Sequence, residues 1–577
     1  MGEGKEIKDR ETVNFYLQLE KFINLQIKKL FPKAGNFALE ISSSSQHGEF
    51  ALTAALKLAS RLGRSPLEVA NLIKEQILKS QPSKYGIERV EVVPPGFLNF
   101  FLKREIWGQN LKEIILKKGK FFSGRREKNI LIEFVSANPT GPLSVAHGRQ
   151  AVVGDVLARI FEFCGYRVTR EYYVNDEGRQ IDLFVESVYQ RMQELDGKKT
   201  AIPEGGYEGE YVKDIAREVK KEKGQVREDL RCLVLDKMLQ RIREDLRMLG
   251  VNFDMWPRQS SFNSSGRISA ALTELQKKGF VYEQEGALWF RSTAFGDDKD
   301  RVVKRKDGSF TYFASDIAYH QDKMRRNFLR IINLWGPDHH GYIKRVKAAI
   351  KALGGKDILD ILIIQLVNVK NVKMSKRAGT IVFLSELISE IGKDATRFFY
   401  LLRKNSSHLQ VDIKQAKEKS MDNPLYYIQY AHARISSIID KFSQWIEEEK
   451  YLPEEKSKLQ SFVVRLKNTL TRGKLRLNDD DFSFLRLLET EEEKAILRQM
   501  LYFSNIVNIS RRSLEPYFLT DYLQTLALLF HKFYERRKVI VKDNLPLAQA
   551  RLILIAGIKV LIATILEILG ITAVESM

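Results

Sequence analysis

Hydrophobic and polar positions along this chain follow three regimes. From residue 13 to about 80, apolar residues recur at helical spacing on either side of a serine-rich turn, Ser42 to Ser45. Val90 to Val93 and Phe97 to Leu102 then predict two strands around Pro94-Pro95-Gly96. Period two places Phe97, Asn99 and Phe101 on one face and Leu98, Phe100 and Leu102 on the other. This first regime predicts a small α+β domain of its own over residues 1–105.

The second regime, residues 106–415, alternates short apolar runs with helical patterns. Ile130, Leu131, Ile132 and Phe134 predict a buried strand, ended by a turn holding Asn138, Pro139, Gly141 and Pro142. Val152, Val153, Val156, Leu157, Ile160 and Phe161 then recur as one buried helical stripe. A second strand, Val168 to Val174, leads through Asn175-Asp176-Glu177-Gly178 into another helix, which completes a βαβ unit. Residues 207–248 are highly charged and helical. They are expected to form a solvated connective region within an insertion of about 185–290. Leu288 to Arg291 and Phe310 to Phe313 predict strands flanking the charged loop Asp297 to Asp307. Two further apolar runs, Phe328 to Trp335 and Ile358 to Val369, stop at Gly336-Pro337-Asp338-His339-His340 and at the basic segment Lys370 to Arg377. The third regime, 416–577, is helical throughout and predicts a bundle from about Ser420 onward. Its most apolar segment, Ala550 to Ile571, is broken by Arg551, Lys559 and Glu567, which fits a buried helix rather than a membrane span. The fold class is therefore α/β with a parallel sheet, an N-terminal α+β part and a C-terminal all-α bundle.

Chemistry enters where strands end. A helix that follows a strand and a glycine turn presents unpaired N–H groups and a positive dipole end to an anion, and His147 and Arg149 stand ready to add donors there. Read alone, His147 serves equally well as a cap or a packing residue. The second motif is Lys373-Met374-Ser375-Lys376-Arg377 before Ala378-Gly379-Thr380. Cations around a serine suit a mobile loop closing on polyphosphate, although a solvated basic loop has the same composition. No GxxxxGK[ST], GxGxxG or HExxH competes with these motifs. The formal charge of +21 points to nucleic acid or another anionic surface. Cys164 and Cys232 stand far apart, signal neither disulfide framework nor zinc cluster, and fit reducing cytoplasm. Met1 to Thr12 lacks the apolar core of a signal peptide.

Taken together, the VAHGR turn and the KMSKR loop resemble the HIGH and KMSKS signatures of class I aminoacyl-tRNA synthetases. SANPTGPL, GDVLARIFEFCGYRVTREYYVNDEGRQI, WGPDHHGYIKR, NPLYYIQYAHARI and PPGFLNF resemble the arginyl-tRNA synthetases in particular. That resemblance covers nearly the whole chain and implies a Rossmann-like catalytic domain. One departure stands out: where the pattern has His, aliphatic, Gly, His, this chain has Ser144, Val145, Ala146 and His147. Ser144 caps the helix and donates one hydrogen bond but supplies no cation, and Ala146 adds a methyl where adenine would approach. The departure bears on ATP affinity more than on the reaction.

The resemblance further implies arginine contacts from Glu133, Ser136, Asn138, Tyr312, Asp316 and Asp338. Two acids and a tyrosine suit a planar guanidinium, which only donates. ATP contacts are implied for Ser144, Ala146, His147, Gly148, Asp338, His339, Met374, Ser375 and Lys376, and catalysis for His147, Lys373 and Lys376. The implied reaction makes arginyl-adenylate from arginine and ATP with Mg²⁺, then transfers arginine to the 2′-hydroxyl of the terminal adenosine of tRNA(Arg). No tightly bound metal or organic cofactor and no membrane is expected. tRNA would meet Phe97 and Asn99 at its D-loop, and Tyr426, Tyr427, Tyr430 and Arg434 at its anticodon, with His432 nearby; Tyr-rich packing is the alternative for the latter group. The protein is expected to be a cytoplasmic monomer. The competing readings are a class I synthetase of other specificity, against which the acidic pocket argues, and a tRNA-binding paralogue without catalysis.

Overall fold

The structure is a computed structural model and describes residues 15–42, 45–117, 129–221, 227–355, 357–370, 382–449, 452–471 and 476–577. The chain forms two compact units, one of residues 125–417 and one joining 1–124 to 418–577.

The middle unit is built on strands β1 (Asn129–Glu133), β2 (Arg167–Glu171), β3 (Arg330–Trp335) and β4 (Leu359–Ile363). All pair in parallel in the order β4-β3-β1-β2. Ile130, Leu131 and Ile132 are buried because a parallel strand inside such a sheet is covered on both faces. Helix α1 (Val145–Phe163) makes the β1-to-β2 crossover. The expected apolar stripe is present, but the helix is buried almost all round, including Gly148, Arg149, Gln150 and Asp155. Gly154 faces the Phe134 ring so closely that a Cβ there would strike it.

Three expectations need correction. Phe310 to Phe313 is not a strand: the Thr311 hydroxyl accepts from Ala314 N–H at 3.4 Å and caps helix α2 (Tyr312–Arg325), so a capping residue overrides the aromatic run. Ile358 to Val369 is two strands, since Val367–Lys370 leaves the main sheet to pair in parallel with Leu409–Asp412. Residues 207–248 are helical but not merely solvated, because Glu210–Lys221 and Arg227–Met248 bury Val212, Ile215, Val219, Leu239, Ile242 and Leu246. Their apolar positions repeat at helical spacing under the surface charge.

In the other unit, strands Glu40–Ile41, Phe50–Leu52, Phe97–Leu102 and Ile87–Val93 form an antiparallel sheet in that order. Helices Phe15–Leu30, Ala54–Leu62 and Pro66–Leu78 accompany it, and the two short strands are additions to the sequence reading. This region does not keep its core to itself. Tyr16 packs edge-on to Tyr502 at 5.5 Å between centroids, and Leu501 belongs to the same buried cluster. The bundle's last helix, Leu545–Leu569, is long and apolar enough to cross a membrane, yet nearly all of it is buried in the bundle.

Candidate active site

The chain runs from β1 to β2 on one side of the sheet and later to β3 on the other, so a crevice opens between the carboxyl ends of β1 and β3. A cavity of about 730 Å³ lies there, lined among others by Glu133, His147, Asp316, Trp335 and Asp338. The turn leaving β1 is strained: Val135 and Ser136 take φ of +68° and +40°, a conformation costing about 1–3 kcal/mol per residue. Hydrogen bonds hold it. Tyr173 N–H donates to Ser136 Oγ at 3.1 Å, and that hydroxyl donates to Glu133 Oε1 at 3.1 Å.

The inner end of the cavity is acidic. Glu133, buried, also receives the fully buried ammonium of Lys323. Asp316, one turn along α2 from Tyr312, accepts a 2.6 Å hydrogen bond from the Tyr342 hydroxyl. Burial pushes the Asp316 carboxyl up to about 7, with Glu133 adding to the rise while the Tyr342 bond and Lys323 oppose it. Tyr312 itself is 59% exposed at the rim. Its hydroxyl fills the space a Cβ on Gly178 would need, and Gly178 has φ +97°. Behind Asp316, His320 Nδ1–H donates to the Asp316 carbonyl at 2.8 Å, and Asn333 Nδ2–H donates to His320 Nε2 at 3.0 Å. Burial lowers this imidazole to about 3, so it is neutral, as both bonds require.

Across the cavity stands His147. Its Nδ1 accepts from Ser144 N–H at 3.2 Å, with Ser144 Oγ also 3.2 Å away, so the ring both closes the helix start and keeps its remaining N–H on Nε2. Burial holds the imidazole below its ordinary range, against the pull of Asp338. The cap and the donor roles coexist in one side chain. Asp338 and His339 sit 3.3 Å apart on the exposed turn Pro337–Tyr342 after β3. Asn138 also lines the cavity, donating to Gln180 at 2.6 Å and accepting from Asn175 at 3.1 Å.

Of the expected site residues, the fold thus gathers Glu133, Ser136, Asn138, His147, Tyr312, Asp316, Asp338 and His339 around one cavity. It does not bring Ser144, Ala146 or Gly148 to the wall: Ser144 caps, and Gly148 packs against Leu384 and Tyr400. Arg149 turns away, donating to the carbonyls of Gln365, Lys404 and Ser407 at 2.8–2.9 Å, so it is no phosphate donor. Lys373, Met374, Ser375 and Lys376 lie outside the described residues. The sequence reading missed Tyr342, His320, Lys323 and Asn333. A signal was present, since Asp316, Tyr319, His320 and Lys323 recur at i, i+3, i+4 and i+7, a polar stripe on a buried face.

In the other unit, Asn99 is 4% exposed between half-buried Phe97 and Phe101, and the Arg89 guanidinium lies 3.7 Å from the Phe101 ring centroid. Tyr426 and Tyr430 stack at 6.2 Å, His531 packs at 4.3 Å from Tyr427, and Arg434 donates to the Tyr534 hydroxyl at 2.7 Å. His432 is turned inward, bonded to the Val574 carbonyl at 2.7 Å.

Comparison with known proteins gives three family matches: the catalytic domain of class I tRNA synthetases (R) over residues 110–445, the DALR anticodon binding domain over 459–577, and the arginyl tRNA synthetase N-terminal domain over 17–102. An arginine–tRNA ligase of Aquifex aeolicus is 39% identical, with 97% of this chain and 98% of that protein aligned. The chain belongs to the arginyl-tRNA synthetase family. Another arginine–tRNA ligase, of Desulfosudis oleivorans, is 41% identical over 93% of this chain and 94% of that protein. The fold agrees with the solved arginyl-tRNA synthetase of Thermus thermophilus, at a TM-score of 0.75 and 20% identity, covering 97% of this chain and all of that one. Within an arginyl-tRNA synthetase, the DALR match falls on the helical bundle, and the class I match contains the whole parallel sheet with its cavity.

Proposed function

We infer that this chain is an arginine–tRNA ligase, which activates L-arginine with ATP and transfers it to tRNA(Arg). The observation that carries the site assignment is a single cavity with two carboxylates at its inner end and a neutral imidazole donor at the helix start opposite. Glu133 and Asp316, with Tyr312 at the rim, receive the guanidinium; Ser136 and Asn138 hold the α-amino and carboxylate end; Asp338 and His339 lie beside the amino acid and the adenosine.

Arginine's carboxylate attacks the α-phosphorus of ATP, and the bond to pyrophosphate breaks. The terminal 2′-hydroxyl of tRNA then attacks the adenylate carbonyl, and AMP leaves. Neither step needs a covalent enzyme intermediate, so catalysis is positioning and charge stabilisation. His147 offers Nε2–H to a phosphate oxygen but, being neutral, no charge. Neutralisation therefore falls to Lys373 and Lys376, in the loop with Met374 and Ser375, and to Mg²⁺ entering with ATP as part of the substrate. The anticodon would be read at Tyr426, Tyr427, Tyr430 and Arg434, and the D-loop at Phe97 and Asn99, by a monomer in the cytoplasm with domain limits near residues 105 and 415.

Arginine-dependent ATP–pyrophosphate exchange, with and without tRNA(Arg), tests this reading beside Lys376→Ala and Asp316→Ala. Exchange in the parent protein that both variants lose is the expected result. Tight tRNA binding with no exchange under any condition would instead favour a tRNA-binding paralogue.

A further inference from the structure

Gln150 stands on α1 one turn beyond His147 and lines the cavity, although only 9% of it is exposed. Among the described residues its side-chain amide has no hydrogen-bond partner. An amide buried this far and left unpaired destabilises the protein that carries it. A ligand that pairs with the amide removes that cost, so the side chain is placed for something that enters the cavity.

What the amide faces narrows the choice. A Cβ on Gly336, between β3 and the turn Pro337–Tyr342, would stand 3.7 Å from Gln150 Nε2 and 2.5 Å from Asp338 Oδ1. The bare glycine lets the amide and the carboxylate approach the same point. There the carboxylate only accepts, while the amide both donates and accepts. Phosphate oxygens would suit the amide but be repelled by the carboxylate. A pair of hydroxyls, each donating and accepting, suits both. Position along the helix then says which hydroxyls. Side chains three apart on a helix have Cβ atoms about 5–6 Å apart. From a phosphate oxygen held at His147 Nε2, that step reaches the sugar of the same nucleotide, and the polar edge of adenine lies farther on.

We propose that Gln150 is a specificity-determining residue for the nucleotide, its amide hydrogen-bonding the ribose hydroxyls of ATP beside the phosphate that His147 meets. The inference rests on the ATP-dependent reaction proposed above. It gives the site a means of preferring ATP to nucleotides that lack a hydroxyl, because a site built to bond a hydroxyl rejects the analogue without it.

Arginine-dependent pyrophosphate exchange by the full chain, run with tRNA(Arg) and with ATP, 2′-deoxy-ATP or 3′-deoxy-ATP, tests it. The parent should show a higher KM for at least one deoxy nucleotide than for ATP. Gln150→Met keeps the volume of the side chain but not the amide. It should raise KM for ATP about 3- to 10-fold and change KM for that deoxy nucleotide far less, so the preference shrinks by a similar factor. Gln150→Asn keeps the amide but draws it back by one methylene. It should lose the preference in the same way, and it serves as the test should the Met variant fail to fold. No preference in the parent, equal rises for all three nucleotides, or no rise in a folded variant overturns the proposal, whether or not transfer to tRNA is slowed. A parent that shows no exchange with ATP under any condition overturns the ATP reading itself, and this inference with it.

Discussion

At the scale of single residues, the pocket's chemistry depends on what stands behind each side chain that faces the cavity. Asp316→Asn keeps the shape and removes the charge that the guanidinium meets. Loss of one partner from an enclosed charged pair costs about 2–5 kcal/mol, so steady-state kinetics should show KM for arginine rising at least roughly 30-fold. Tyr342→Phe acts through Asp316: the lost hydrogen bond favoured the ionised form, so the carboxyl rises above about 7 and the acid limb of arginine binding moves to higher pH. Arginine affinity near neutrality then falls, while affinity at high pH is largely regained, which a titration series in pH detects. His147→Ala removes a phosphate donor. It should lower kcat for exchange about 10²–10³-fold and leave arginine binding as it was.

Element by element, much of the site was legible in the sequence and a definable part was not. The strand at Ile130–Ile132, the turn after it and α1 followed from apolar runs and glycine–proline punctuation, and these place Glu133 and His147. The Thr311 cap was not recognised, because a run of aromatic residues carries a strand propensity that only the capping bond overrides. Arg149 shows another limit. Sequence places it on the anion-facing first turn, but helical direction carries its side chain inward to three carbonyls. Lys323 stood in the polar stripe of α2, but its pairing with Glu133 and its hydrogen bond to Asn333 were not legible, because contacts between a helix and a strand leave no local pattern on the strand side. Helix–sheet packing also yields a stability test. Gly154→Ala drives a methyl into the Phe134 ring, and overpacking of this kind costs about 1–3 kcal/mol, read as a lower denaturation midpoint with the folded state's helix content retained.

For the whole molecule, the net charge of +21 becomes a statement about salt. tRNA affinity should fall linearly in log–log form with salt concentration, the slope counting released counterions, whereas arginine affinity should respond far less. Tyr430, stacked on Tyr426, belongs to the unit formed by the two chain ends. Tyr430→Ala should weaken tRNA binding by about 1–3 kcal/mol if a base stacks there, and leave calorimetric arginine binding unchanged. That same unit imposes an order on biosynthesis. Tyr16 and Leu102 leave the ribosome early, yet Leu501 and Tyr502, which complete their core, follow about 400 residues later. At about 5–20 residues per second, the N-terminal sheet waits roughly 20–80 s for its packing partners, while the middle of the chain can close its own core first. This earlier-made sheet is thus finished later than the middle of the chain, and during that interval the apolar surface that Leu501 and Tyr502 will cover stands open to a chaperone.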